Sequence, residues 1–152
     1  MALFRRESDA PAILDVPDPT DDPATLRQTV SRANRFINHY SGRLPGEAVV
    51  ASRKLTDTLR EIIDTSDVRE LDIHAVLSVK GMLNDYLPTT LKSFLALDPS
   101  QLDAARPSGR TPADSLLEQI DSLQTAADAI LVAARAQDAD ALMTQGNFLR
   151  TN

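Results

Sequence analysis

Lys80 occupies the position in this sequence that most invites chemistry. Counted at 100° per residue it falls about 20° from Leu87, on the apolar side of a helical stretch, with Gly81 beside it and Asp85 close behind. An amine desolvated there would have a depressed pKa and could act as a base or a nucleophile. More commonly such a lysine spreads its methylenes over apolar surface while the ammonium reaches water or a carboxylate.

The remaining groups do not complete a reaction centre. Asp64, Asp67, Glu70 and Asp72 crowd one turn and could attract a divalent cation, although helix capping and dipole complementation explain them at less cost. His39 and His74 are the only histidines, and each points about 180° and 140° from the nearest apolar stripe, so surface positions are expected. There is no Gly-x-Ser-x-Gly elbow, no glycine-rich phosphate loop and no Glu-x-x-His pair. No catalytic set, cofactor or metal is therefore expected.

Composition narrows the fold that must hold these residues. The 152 residues suffice for one domain with a real core. Cysteine is absent, which removes disulfides, thiolate nucleophiles and zinc–thiolate sites and suits a reducing cytoplasm. With no tryptophan and few other aromatics, aliphatic side chains and alanine must fill the interior, as in helical bundles. No stretch approaches the roughly 20 apolar residues of a membrane span, and the net charge of −6 disfavours unselective binding to nucleic acid. The charge is uneven: residues 24–60 hold seven basic groups against two acidic, and residues 111–152 two against six.

Residues 1–23 contain four of the nine prolines and an excess of aspartate, and read as a disordered acidic tail around a short apolar island, Ala12 to Val16. Helical periodicity then begins. Leu26, Val30, Ala33 and Ile37 predict a helix over about 24–40, with Gly42 as its C-terminal cap. Ala48, Leu55, Leu59, Ile62 and Ile63 predict a second over about 45–64, opened by Pro45. Asp67 and Glu70 have the spacing of a capping box for a third. Ile73, Val76, Leu83, Leu91 and Phe94 all lie within about 40° of Leu87, so the third stripe crosses Pro88 without changing direction and implies one helix over about 69–97, kinked at the proline. Thr89 or Thr90 could return a hydroxyl to the carbonyls freed there.

A loop of about 14 residues leads to Thr111-Pro112-Ala113-Asp114, an N-cap with proline first and an acid third. Leu116, Leu117, Ile120, Leu123, Ala127, Ile130, Leu131 and Ala134 follow in helical rhythm. Asp138 and Asp140 would either begin a fifth helix with Leu142, Phe148 and Leu149 or lie within one long fourth helix. The expected architecture is an all-α, elongated antiparallel bundle over 24–152. The arginines of the first two helices are expected to answer Asp114, Glu118, Asp121 and Asp128 of the last.

Two segments, GRLPGEAVVASRKLTDTLREIIDTS and LDIHAVLSVKGMLNDYLPTTLKSFLALDP, resemble small, uncharacterised helical proteins of high-GC Gram-positive bacteria. Within the second, Tyr86, Leu87, Pro88, Thr90 and Leu91 are similar to a segment of the bromochloroindolyl-phosphate hydrolysis family, whose members accompany toxic-anion resistance proteins. The resemblance implies a helical protein linked to envelope or stress functions. It does not carry the hydrolytic activity, because those residues include no nucleophile and base.

The role that fits is a non-enzymatic interaction or adaptor protein. Its partner-facing side chains would be Ile13, Leu14 and Val16 of the island, Arg27 and Arg35 of the cationic helices, and Lys80 and Pro88 of the third. Self-association through Ala126, Ala127, Ala129, Ala133 and Ala134 is a further expectation, with no nucleic acid and no integral membrane segment involved. The alternatives are a hydrolase or ligand-binding protein using Lys80 with Asp85 or the Asp64–Asp72 cluster, and a peripheral membrane binder using Leu3, Phe4, Arg5 and Arg6.

Overall fold

The computed structural model describes residues 21–102, 104 and 107–151. It is 83% helical, with no strand among the described residues, which establishes the all-α class. The apolar island and the Leu3–Arg6 stretch lie outside the described residues.

Helix α1, Pro23–His39, starts on a proline, whose missing N–H would be unpaired at that position in any case. Leu26, Val30 and Ile37 are buried on one side. The helix ends at Tyr40, whose N–H returns to the Phe36 carbonyl at 3.2 Å. Gly42 is therefore not a left-handed cap; among the described residues only Gly109 has a positive φ, at 82°. Helix α2, Gly46–Asp64, begins one residue after Pro45, whose carbonyl accepts from Ala48 and Val49. Leu55, Leu59, Ile62 and Ile63 are fully enclosed. Burial of each contributes about 1.5–3 kcal/mol.

Asp67 and Glu70 do not form the expected capping box. Thr65–Asp67 tightens into a 3₁₀ turn that prolongs α2, and the next helix begins at Ile73 with the Asp72 carboxylate accepting from His74 N–H at 3.3 Å. Helix α3 then runs through residues 73–95 as an α segment Ile73–Gly81, a π-helical turn Met82–Tyr86 and an α segment Leu87–Leu95. One continuous helix crosses Pro88, as the stripe implied. Its irregular part lies just upstream of the proline, where Leu87 N–H reaches back five residues to the Met82 carbonyl. Widening that turn accommodates a residue that can neither donate to the preceding turn nor tolerate its carbonyl closely.

The π turn also corrects the phase count. One residue too many for an α turn rotates everything upstream by about 100° relative to a 3.6-residue period. Val79 and Met82 are consequently buried beside Val76 and Leu83, while Ile73, expected inside, is 55% exposed. Lys80 moves from the centre of the apolar face to its edge. Gly81 faces the ring of Tyr86 on its own helix, which a Cβ would meet at 3.4 Å, rather than a neighbouring helix.

After a single short turn, α4 (Pro99–Leu102), the chain enters α5, Pro112–Thr151, a 40-residue helix. Asp138 and Asp140 lie inside it and start nothing new. Its first turn is closed as the sequence indicated: Asp114 N–H donates to Thr111 Oγ1 at 3.2 Å, and Thr111 N–H donates to Asp114 Oδ2 at 3.0 Å.

Side-chain pairings fix helix directions. Arg27 meets Asp64, Asn34 meets Thr56 and Asn38 meets Arg53, so α1 and α2 are antiparallel. Thr90 meets Gln119, while Ala75 and Ser78 share a cleft with Ile130 and Ala134, so α3 opposes α5. Thr58 meets Gln124 and Glu61 meets Arg135, which makes α2 and α5 run in the same direction. The bundle is thus antiparallel between successive long helices, with a parallel contact between the second and the last.

Candidate interaction surface

Leu116, Ile120, Ala127 and Leu131 of α5 are buried against the bundle. The bundle then stops while the helix continues: from residue 139 onward every described side chain is exposed. At 1.5 Å per residue this stretch is about 20 Å long. The apolar stripe, interrupted by Arg135 and Asp138 within about 40° of Leu131, resumes beyond the bundle. Leu142 lies about 20° from Leu131 on the helical wheel and Leu149 in line with it, at 71% and 65% exposure. Met143, 66% exposed, lies about 100° from Leu142, and Gly146 presents no side chain between the two leucines. A helix polar on all sides would explain the overhang as a solvated extension; a stripe with leucines seven residues apart instead has the spacing of a helix-pairing seam.

Of the residues singled out from the sequence, Glu70, Asp72 and His74 line one cleft between α3 and α5, and Arg27, Arg35, Lys80, Asp85 and Pro88 do not join them. Arg27 Nε and Nη2 donate to Asp64 at 3.0 Å and to Asp67 at 3.1 Å, and these bonds, Asp64 first, hold the guanidinium above its ordinary pKa. Arg27 is therefore answered by the end of α2, while Arg43 donates to the Leu95 carbonyl and Arg53 to Asn38. Among the described residues no ion pair joins them to Asp114, Glu118, Asp121 or Asp128; Glu118 pairs instead with Arg110 at 3.2 Å. Arg35 is exposed beside Phe36 and His39, and Pro88 is half-buried. His39 and His74 are both exposed.

Lys80 Nζ lies 2.7 Å from Asp21 Oδ1, with both side chains 21% exposed. Asp85 is exposed within the π turn, five residues along α3. Of the acidic cluster, Asp64 and Asp67 hold Arg27 and Asp72 caps α3. No group of three or more His, Cys, Asp or Glu side chains able to hold a metal ion occurs among the described residues. A cleft between α3 and α5 measures about 160 Å³ and brings Arg69, Glu70, Asp72, His74 and Asp138 around a floor that includes Ala75 and Ala134. Pockets for small organic ligands usually have about 300–1,000 Å³.

The alanines expected to form one self-association face divide. Ala127 is core, Ala134 is half-buried, and Ala126, Ala129 and Ala133 are exposed. The overhang itself was missed by sequence reasoning as a surface. The signal was present in the spacing of Leu131, Leu142 and Leu149, but nothing in the sequence marked where the other helices end.

The molecule belongs to the all-α bundles, with a terminal helix that outruns its packing partners. No described helix is long and apolar enough to cross a membrane. Comparison with protein-family models, curated proteins and solved structures found no match to the chain.

Proposed function

We propose that the chain is a non-enzymatic helical interaction protein, an adaptor whose α5 overhang pairs with an amphipathic helix of another protein chain. The observation that carries this reading is the exposure of Leu142 and Leu149 in line with the buried Leu116–Leu131 stripe, beyond the end of the bundle. Apolar side chains at that spacing gain little in water and gain most when a second helix covers them. The engagement of Lys80 by Asp21 favours this reading over a hydrolase that uses that amine. The lack of cysteine suits a reducing cytoplasm, and the Tyr86–Leu91 resemblance suggests envelope or toxic-anion stress as the setting.

The test is affinity capture from the native organism with the full chain and with L142K/L149K. The proposal expects a partner captured by the first and lost by the second, both having the same thermal midpoint because neither leucine is in the core. Equal capture by both would place the binding surface elsewhere. Sedimentation at rising concentration distinguishes a second copy of this chain from a different protein.

A further inference from the structure

The exposed end of α5 has the pattern of a helix that fits its own reverse. Ala139, Leu142, Gly146 and Leu149 follow one another at spacings of three, four and three residues, and all four are exposed. They fall within an arc of about 80°, so small residues and leucines alternate along one seam. Set two such helices antiparallel, with Leu142 of one level with Gly146 of the other, and Leu149 comes level with Ala139. Symmetry repeats both contacts, so every layer places one leucine over one small residue and the axes can approach closely. Parallel pairing instead stacks leucine on leucine and Gly146 on Gly146, which leaves a gap in the glycine layer.

Charge and length agree with the antiparallel register. The base of the overhang carries Asp138 and Asp140 and its tip carries Arg150, while Arg135 is already held by Glu61 at 2.8 Å. Arg150 is exposed, with Nη2 donating to Asn147 Oδ1 on its own helix at 2.7 Å. In the register set by the leucines, residue 150 comes level with residue 138 of the other chain, so each basic tip meets an acidic base. Parallel pairing would put aspartate beside aspartate. Residue 151 comes level with residue 137, whose carbonyl accepts from Arg69 at 3.4 Å. Each helix tip therefore stops where the link between α2 and α3 of the other copy meets α5, and the pairing uses the whole overhang.

We propose that the occupant of the overhang is a second copy of this chain, the two α5 ends forming an antiparallel pair with two-fold symmetry in that register. The inference rests on the overhang as the binding surface and names its partner. The contact is isologous: the same seam is offered by both chains, and it closes after two. So short an interface belongs to the weak class, and the dimer is concentration-dependent.

The absence of cysteine allows single spin labels to be placed on the full chain at T144C and V132C, both exposed positions of α5. The register puts residue 144 at the two-fold axis, whereas the two copies of residue 132 are separated by about 36 Å along the helices. Electron–electron distance measurement on the concentrated protein is expected to give less than about 20 Å at 144 and more than about 35 Å at 132. Sedimentation should show a dimer that grows with concentration and is lost in L142K/L149K. G146L, whose added side chain would meet Leu142 of the other copy, should raise the dimer Kd at least about tenfold. Short distances at both labels, a dimer that survives L142K/L149K, or tighter association of G146L would overturn the self-pairing. So would a chain that stays monomeric at every concentration: with partner capture still lost in L142K/L149K the adaptor reading stands without it, and with capture unchanged both fail.

Discussion

Gln124 Nε2 donates to Thr58 Oγ1 at 2.9 Å across the parallel contact between α2 and α5. The same nitrogen donates to Asp128 at 2.8 Å, whereas the buried Gln124 Oε1 has no protein partner. The bond fixes the sliding register of α5 on α2, and so fixes how far α5 extends beyond the bundle.

An orphaned buried oxygen costs about as much as the bond beside it gains. Gln124→Leu is therefore expected to change the unfolding free energy by less than about 1 kcal/mol, since Thr58 keeps its bond to the Lys54 carbonyl and the new side chain fills the site. Gln124→Ala, which leaves a cavity, should cost about 2 kcal/mol. Urea unfolding of the two variants checks the difference.

The π turn in α3 leads to a deletion experiment. Removing exposed Asn84 takes one residue from a turn that has one to spare, so an α-helix can close with Val76, Val79 and Leu87 still facing the core. Removing exposed Asp57 from the regular α2 rotates Leu59, Ile62 and Ile63 by about 100° out of the core. Circular dichroism melts should show cooperative unfolding for the first deletion and none for the second.

The cap of α5 is acid-sensitive in a defined direction. The Thr111 N–H, and after it the Thr111 hydroxyl, hold the Asp114 carboxyl below its ordinary pKa. Its contribution is complete above about pH 4, the unfolded carboxylate value, and is lost as pH falls through the lowered one. Asp114→Asn should remove that acid limb from the stability profile and leave its shape near neutral pH unchanged. Thermal midpoints between pH 2 and pH 7 measure it, the range being set by the ordinary carboxylate value near about 3.9.

Lys80 gives a contrasting prediction for the enzyme reading. Lys80→Met keeps the apolar coverage of the stem and removes the partner of Asp21, a residue at the margin of the domain that can turn to water. The variant should unfold within about 1 kcal/mol of the parent and capture the same partner, with the capture assay as the readout. Loss of a measurable hydrolytic turnover on this change would instead support a catalytic amine.

The sequence made α1, α2 and the start of α5 legible because period and cap chemistry agree there: Pro23 and Thr111-Pro112 stand within a residue of where helices begin. It misplaced Lys80 and Ile73 because a phase count assumes one winding throughout, and the π turn between Gly81 and Leu87 breaks that assumption. Asp72 took the cap that Asp67 and Glu70 had the spacing to form, since Arg27 from α1 claims Asp67, a contact forty residues apart that spacing alone does not reveal. The surface on α5 stayed hidden for a similar reason. Leu142 and Leu149 look like core positions until the fold shows them 71% and 65% exposed beyond the described ends of α2 and α3.

Hydrogen exchange along α5 tests the account most directly. Three and a half turns of helix whose described side chains are all exposed open easily, so amides of residues 139–151 should exchange rapidly in the isolated chain while those of residues 116–131 are protected. On binding the captured partner, or at high concentration if the partner is a second copy, the 139–151 amides should become protected, and L142K/L149K should not show the change. Protection that appears only elsewhere on the bundle, with the overhang still exchanging freely in the complex, would contradict it.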